Sequence, residues 1–306
     1  MTAAPRPGRD ACTPYPCSVG VVGGGRVGAV LGAALDAAGH RVVAVSGASD
    51  VSRERIAGLL PHAALRSPAD VARVGADLLL IAVPDDALAA VVAELAHPQH
   101  GQTVRPGQVV AHTSGAHGLA VLAPMVAQGA QPLALHPAMT FAGSTGDLER
   151  LPGIAYGITA PAALRAFAAR LVTGLGGVPE WIAEGDRPVY HAALAHGANH
   201  LVTLVNDAAD VLRAAGVAEP GTVLAPLLRA ALDNALRLGD AALTGPVSRG
   251  DAGTVAAHLD RLPAEFGDTY LALARRTAER AVAAGRLGPV DAALLIDVFA
   301  REGTPA

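Results

Sequence analysis

Residues 18–28 read Ser-Val-Gly-Val-Val-Gly-Gly-Gly-Arg-Val-Gly. A short apolar strand containing Val19, Val21 and Val22 runs straight into Gly23-x-Gly25-x-x-Gly28. An alanine-rich amphipathic stretch follows from Ala29 to Ala38 and stops at Gly39. The order is strand, tight turn, helix. Gly23 permits the turn. Gly25 has no Cβ, so a diphosphate can approach the backbone, and Gly28 lets the helix lie close on the strand. Arg26 and Val27 fall at the helix mouth, where free N–H groups and the helix dipole favour phosphate oxygens. The stretch predicts a dinucleotide site at Gly23, Gly25, Arg26, Val27 and Gly28. The competing reading is a plain tight βα turn.

Outward from this turn, strand and helix patterns alternate. Strands are predicted at Val19–Val22, Arg41–Ser46, Leu78–Val83, Gln108–Thr113, Pro132–His136, Ile154–Thr159 and Val178–Trp181. Between them lie helical patterns at Arg26–Ala38, Ser52–Leu60, Pro68–Val74, Asp86–Leu95, Gly118–Gln128 and Pro161–Leu175. Near-continuous Val/Ile/Leu strands alternating with helices mean a parallel sheet covered on both faces. Beyond Asp186 the strand signal ends and helical patterns take over at Pro188–Gly216, Val223–Leu243, Asp251–Leu262, Ala264–Ala284 and Val290–Arg301. The predicted fold class is α/β: an N-terminal Rossmann-type, doubly wound, mostly parallel sheet followed by an all-α C-terminal domain. The expected boundaries are a disordered tail over 1–17, a dinucleotide-binding domain over 18–184, and a helical substrate and dimerisation domain over 185–306.

Composition narrows the function classes. The net charge of −4 offers no basic field for nucleic acid, and no apolar run is long enough to span a bilayer. The first residues lack the apolar block of a secretory signal. Cys12 and Cys17 have neither the spacing of a redox pair nor the number for a metal cage, so a reduced, cytoplasmic setting is expected. The chain is 51 % hydrophobic and 16 % charged, which leaves room for a buried interface. Every basic side chain is arginine. Chemistry that requires a lysine is therefore excluded.

The second strand bears on the cofactor. NAD-binding versions of this fold carry a carboxylate at its end to hold the ribose hydroxyls. Here the strand runs into Ser46-Gly47-Ala48-Ser49, no carboxylate appears before Asp50, and Arg53 and Arg55 follow. Hydroxyls with a guanidinium suit a 2′-phosphate. Ser46, Ser49 and Arg53 therefore favour NADP, as NADPH, over NAD; the alternative has Asp50 reaching the ribose. At the next turns along the same edge, Val83, Pro84 and Asp85 are expected beside the cofactor, with Asp85 also read as a helix cap. Ser114 and His136 are expected near the nicotinamide, His136 toward the substrate; structural hydrogen bonding is the competing reading for both.

From Pro188 to Leu212 no Lys, Arg or Glu occurs, which predicts a buried helix. It nevertheless carries His191, His196, Asn199, His200, Thr203, Asn206, Asp207 and Asp210. Buried polar groups need partners, so the stripe is expected to line a cleft or an interface network. His196-x-x-x-His200 has zinc-like spacing, but no Glu follows His196 and no third ligand presents itself, so no metal is expected. The loop Thr244–Asp251 reads either as an interhelical turn capped by Asp251 or as an anion clamp built from Ser248 and Arg249.

Taken together, the glycine turn, Val-Pro-Asp-Asp (83–86), His-Thr-Ser-Gly (112–115), His-Pro-Ala-Met-Thr-Phe (136–141), the Tyr190-His191 to Asn199-His200 helix and the 244–251 loop resemble a Rossmann-like family of the 6-phosphogluconate-dehydrogenase-like superfamily. Its members carry a C-terminal helical domain of unknown function and are similar to pyrroline-5-carboxylate, ketopantoate and 3-hydroxyacid reductases. The resemblance covers nearly everything after Pro16. It implies an NAD(P)-binding domain and an all-helical domain that often dimerises. In the hydroxyacid and ketopantoate relatives a lysine four residues before an asparagine donates the proton. Asn199 matches that asparagine, but the lysine's place holds Ala195. Pyrroline-5-carboxylate reductases do not use that lysine and place a polar substrate loop between later helices, as Thr244–Asp251 would be.

The expectation is an NADP-dependent oxidoreductase that reduces a C=O or C=N bond of a small, carboxylated metabolite and acts as a cytoplasmic homodimer. Asn199 would bind the reacting heteroatom and His191 or His196 would donate the proton. Ser248 and Arg249 would hold the carboxylate. The alternative is a non-catalytic NADP(H)-binding sensor.

Overall fold

β1 (Ser18–Val22) opens an eight-stranded sheet in a computed structural model that describes residues 15–302. The chain continues through α1 (Arg26–Ala37), β2 (Arg41–Val45), α2 (Asp50–Leu59), β3 (Ala64–Leu65), α3 (Pro68–Arg73), β4 (Leu78–Ile81) and α4 (Asp85–Leu95). β5 (Val109–His112), α5 (Ala123–Val126), β6 (Gln131–Pro137), β7 (Ala155–Thr159), α6 (Arg165–Gly174), β8 (Val178–Trp181) and α7 (Arg187–Leu194) follow. The strand order is β3-β2-β1-β4-β5-β6-β7-β8, as the doubly wound reading requires.

Side chains alternate across each strand, so the sheet builds two cores. On one face Val19, Val21, Leu78 and Leu80 pack with Leu31 of α1 and with Phe167 and Leu171 of α6. On the other, Val22, Leu79 and Ile81 pack with Val71 of α3 and with Leu88 and Val92 of α4. β4 is buried along its whole length, which is why Leu78–Ile81 carries no polar residue. Each such leucine contributes about 2 kcal/mol of burial. One pair breaks the parallel pattern: β7 runs antiparallel to β6. A parallel return needs a long crossover, usually a helix. The β6–β7 connection holds only a short 3-10 turn at Thr145–Arg150.

Residues 1–14 of the expected tail, Cys12 among them, lie outside the described residues. The end of that tail is part of the fold. Cys17 is buried, its N–H donates to His40 Nδ1 at 3.1 Å, and the Tyr15 ring meets His40 edge-on. At the far edge of the sheet Trp181, the only tryptophan of the chain, lies with its ring centre 3.8 Å from the Arg165 guanidinium.

The division between compact units falls between His196 and Gly197. That is beyond the expected Glu184–Asp186, because α7 plants the fully buried Arg187 in the sheet unit. The second unit holds α8 (His200–Ala214), α9 (Pro220–Leu238), α10 (Ala252–Arg261), α11 (Ala264–Ala283) and α12 (Pro289–Glu302). Its core gathers Val255 of α10, Leu271 and Ala274 of α11, and Leu295 and Phe299 of α12.

The expected single buried helix from Pro188 is corrected twice. A π-turn at Ala195–Asn199 separates α7 from α8. No residue of α8 is buried, and Val202 is 60 % exposed. The absence of charge does mark an apolar surface, but the described residues leave it largely uncovered. Among the described residues no helix is long and apolar enough to cross a membrane.

Candidate functional site

The turn after β1 is shaped by crowding on one side and openness on the other. Gly23 adopts a φ of 95°, and a Cβ there would run into the Ala82 carbonyl. A Cβ on Gly28 would collide with the Gly23 carbonyl, so α1 can lie this close to β1 only with glycine at that position. Above Gly25, by contrast, nothing stands within 4 Å of where a Cβ would be. Gly25 is the N-cap of α1, no side chain caps it, and the first turn has no acidic residue. Uncapped amides at a helix mouth with the positive end of the dipole form an anion site. The residues present fit a diphosphate.

Beside the turn lies a cavity of about 760 Å³, rimmed by Gly23, Ser46, Arg53, Arg66, Ser67 and Val83. The sequence-predicted residues take different jobs here. Ser46 is buried and its hydroxyl accepts the Gly23 N–H at 3.0 Å, while its carbonyl accepts Gly24 N–H at 2.6 Å. It fastens β2 to the turn. Ser49 caps α2 in a reciprocal box with Ser52. Arg53 lines the cavity and pairs with Asp50 at 2.6 Å. Arg55 is directed elsewhere, with its Nε–H donating to the Gly143 carbonyl at 3.1 Å. The sequence reading missed Arg66 and Ser67. They follow β3, a two-residue edge strand too short to leave a pattern.

Along the same edge, α4 starts at Asp85 with Pro84 in the cap position and no side-chain cap bond, so the capping role expected of Asp85 is absent. Its carboxylate instead suits the positive helix terminus. His112 is fully buried at the end of β5. Its Nε2 lies 2.9 Å from the Gly118 carbonyl and its Nδ1 accepts the Ser114 N–H at 3.2 Å. Burial pushes the imidazole down to about 4, so it is neutral at physiological pH and organises the 113–118 loop. Ser114 is buried too, and its hydroxyl accepts the His117 N–H at 3.1 Å.

His136, near the end of β6, is likewise pushed down to about 4, first by burial and then by the charge of Arg187. It stands 2.9 Å from the Tyr190 hydroxyl, and its ring meets that of His191 at 6.2 Å. Gly115 is wedged between the two imidazoles, since a Cβ there would come within 2.7 Å of His191 and 3.1 Å of His136. Below them Arg187 gives Nε–H to the Thr159 hydroxyl at 2.8 Å and its other N–H groups to the carbonyls of Ser114, Ala134 and Gly157. A sequence reading has no reason to place an arginine there, because arginines are almost never fully buried.

Ser114, His136 and His191 therefore come together in the sheet unit, with Tyr190 and Arg187 added. His196 is exposed at the end of that unit. In the helical unit Asn199 is exposed, Ser248 is buried with its hydroxyl donating to the Gly245 carbonyl at 3.2 Å, and Arg249 is exposed. Asp251 caps α10 by accepting the Thr254 N–H at 3.0 Å. Among the described residues no three His, Cys, Asp or Glu side chains cluster as a metal site would need.

Residues 4–137 match a family described as a Rossmann-like domain, and residues 154–277 match a domain of unknown function, DUF2520. The second match begins just before β7, so it takes in the last two strands of the sheet as well as the helices up to α11. No curated protein matches it. Among solved structures it is similar to a Bacteroides fragilis protein provisionally assigned as an NADP oxidoreductase, at 22 % identity and a TM-score of 0.72, covering 86 % of this chain and 98 % of that one. It is also similar to a Plasmodium falciparum pyrroline carboxylate reductase with NADP bound, at 12 % identity and a TM-score of 0.57, covering 87 % and 97 %. A reductive aminase from Aspergillus terreus, in complex with NADPH and ethyl levulinate, matches at 20 % identity and a TM-score of 0.56, covering 92 % and 99 %. At these identities the likeness establishes the fold.

Proposed function

We propose that the chain is an NADP-dependent oxidoreductase that reduces a C=O or C=N bond of a small, carboxylated metabolite with NADPH. The observation that carries this reading is the mouth of α1, where open space over Gly25 meets amides that no side chain caps. Gly23, Gly25, Arg26, Val27 and Gly28 would hold the diphosphate. Arg53 and Arg66, both on the rim of the adjoining cavity, would take the 2′-phosphate. Val83, Pro84 and Asp85 would border the cofactor. When bound, the reduced nicotinamide supplies hydride, and the chain supplies orientation and a proton. Ser114 and His136, with His191, give the sheet edge the polar groups that orientation needs. Asn199, Ser248 and Arg249 stay as substrate candidates of the helical unit. Similarity to structures named with NADP or NADPH supports the cofactor class.

Thermal stabilisation by NADPH against NADH tests the cofactor. The expected result is a larger shift with NADPH, and a Kd for NADPH weakened about tenfold or more when Arg53 and Arg66 are both replaced by Ala. Equal shifts with NADH overturn the NADP assignment. No shift with either overturns the whole reading. NADPH oxidation over a panel of keto acids and cyclic imines then tests turnover. A non-catalytic NADP(H)-binding sensor is the second reading, favoured by the missing lysine, and it requires stabilisation without oxidation.

The same proposal has the chain work in the cytoplasm as a homodimer through its helical unit, without nucleic-acid or membrane partners. The net charge of −4 supports the last point. The uncovered apolar residues Val202, Leu204, Leu227 and Leu236 support the dimer. Light scattering on the eluting protein checks it, and a monomer at micromolar concentration refutes it.

A further inference from the structure

The proton that completes the reduction has no lysine to come from. The sheet edge holds another source. His136 and Gly157 face each other across the antiparallel β6–β7 pair. Residues opposite each other in such a pair project to the same face. Gly157 has no side chain, and the Tyr190 hydroxyl takes the space, standing 2.5 Å from where a Cβ would be. From there it reaches His136 Nδ1 at 2.9 Å, with the two rings edge-on at 5.6 Å.

Arg187 lies one helical turn before Tyr190 on α7, its guanidinium carbon 5.9 Å from the tyrosine ring centre. All four of its hydrogen-bond acceptors are neutral, one hydroxyl and three carbonyls. A guanidinium stays protonated in proteins, so a positive charge is held beneath the phenol without a carboxylate bonded to it. Burying a charge in this way is expensive, and the cost is understandable if a negative charge develops nearby.

We propose that Tyr190 is the general acid of the reduction, its oxygen held by His136 Nδ1–H and the negative charge left behind by its departing proton balanced by Arg187. The inference rests on the reductase reading above and assigns that reading's missing donor. As the C=O or C=N carbon is reduced, the π electron pair moves onto oxygen or nitrogen. The Tyr190 O–H bond breaks and its proton forms the new O–H or N–H bond. The phenolate next to Arg187 then takes a proton from solvent, so each turnover consumes one hydride and one solvent proton. With Nδ1–H of His136 donating to the phenol oxygen, the hydroxyl hydrogen is left free for substrate. Charged and titratable groups around Tyr190 are His136 of β6, Arg187 of α7 and Glu180 of β8, with His191 of α7 against the His136 ring. Burial raises the phenol above its ordinary value, and the adjacent guanidinium pulls against that rise.

The test uses the full-length chain and three variants, Tyr190→Phe, Gly157→Ala and His191→Gln. Tyr190→Phe is expected to lower kcat by about a hundredfold or more while the Kd for NADPH stays within about twofold. Gly157→Ala adds a methyl group where the hydroxyl sits and removes no functional group, so a comparable loss is expected from it. A second readout needs no turnover. The 15N imidazole resonances of His136 in the free protein should report Nδ1 protonated, and Tyr190→Phe should shift them. Wild-type turnover that Tyr190→Phe retains within about threefold overturns the assignment alone. So does an Nδ1 that is unprotonated in the wild type, or a loss confined to His191→Gln. A wild type that binds NADPH and reduces neither ketones nor imines overturns the reductase reading itself.

Discussion

The sheet unit and the helical unit obey the same sequence rules with opposite outcomes. In β4, four consecutive apolar residues are four buried residues. In α8, a helix whose only Asp, Glu or Arg residues are Asp207, Asp210 and Arg213, no residue is buried at all. The difference lies in what each element has to lie against. A strand in mid-sheet has neighbours on both sides and a helix on each face, all from the same chain. α8 and α9 offer apolar faces that their own unit leaves largely open, with Leu236 81 % exposed. Hydrophobic pattern tells that a surface should be covered and is silent on which chain covers it.

Substitutions can sharpen or break this contrast. Leu80→Ala, in the middle of β4, should cost about 4 kcal/mol in denaturant unfolding, because the cavity is closed on both faces by packed elements. A loss below about 1 kcal/mol would mean that the sheet core is far looser than its burial. Acid should act on the sheet unit next. His112 is held down to about 4 in the folded state, so the unfolded chain binds the extra proton first as pH falls. Stability present above about pH 6.5 is then lost toward pH 4, by up to about 3 kcal/mol from this group, and urea titrations across that window should show it. A flat profile contradicts a neutral, buried His112. Gly28→Ala should cost about 2 kcal/mol and abolish nucleotide binding, since the added methyl meets the Gly23 carbonyl. At the small end, Leu236→Ala should change the unfolding free energy of an isolated chain by less than about 0.5 kcal/mol. If wild-type stability depends on protein concentration and Leu236→Ala weakens that dependence, a second copy covers α9.

Most of the sheet was legible from residue order. The predicted strands and helices fall within a few residues of those found, because near-continuous apolar strands and their caps are local signals. Three features were not. β3 is a two-residue edge strand. The single helix expected over Gly118–Gln128 is a 3-10 turn at Leu119–Leu122 followed by α5, with Pro124 in its first turn. The reversal of β7 goes with a connection that carries a 3-10 turn and no α-helix, and apolar pattern carries no strand direction. At the candidate site the glycine turn was readable because glycine spacing states a backbone requirement. The Tyr190–His136–Arg187 cluster was hidden because it depends on Gly157 lying opposite His136, a register fact, and on an arginine buried against its class. Asn199 and His196, drawn from the charge-free helix, lie on exposed surface in this chain.

The single tryptophan has a practical corollary. Trp181 sits on β8, so tryptophan emission, excited apart from tyrosine, reports on the sheet unit losing its structure. Far-ultraviolet ellipticity draws much of its amplitude from α8 to α12. Melting followed by both signals would superimpose if the halves unravel together, and would separate if one lets go first.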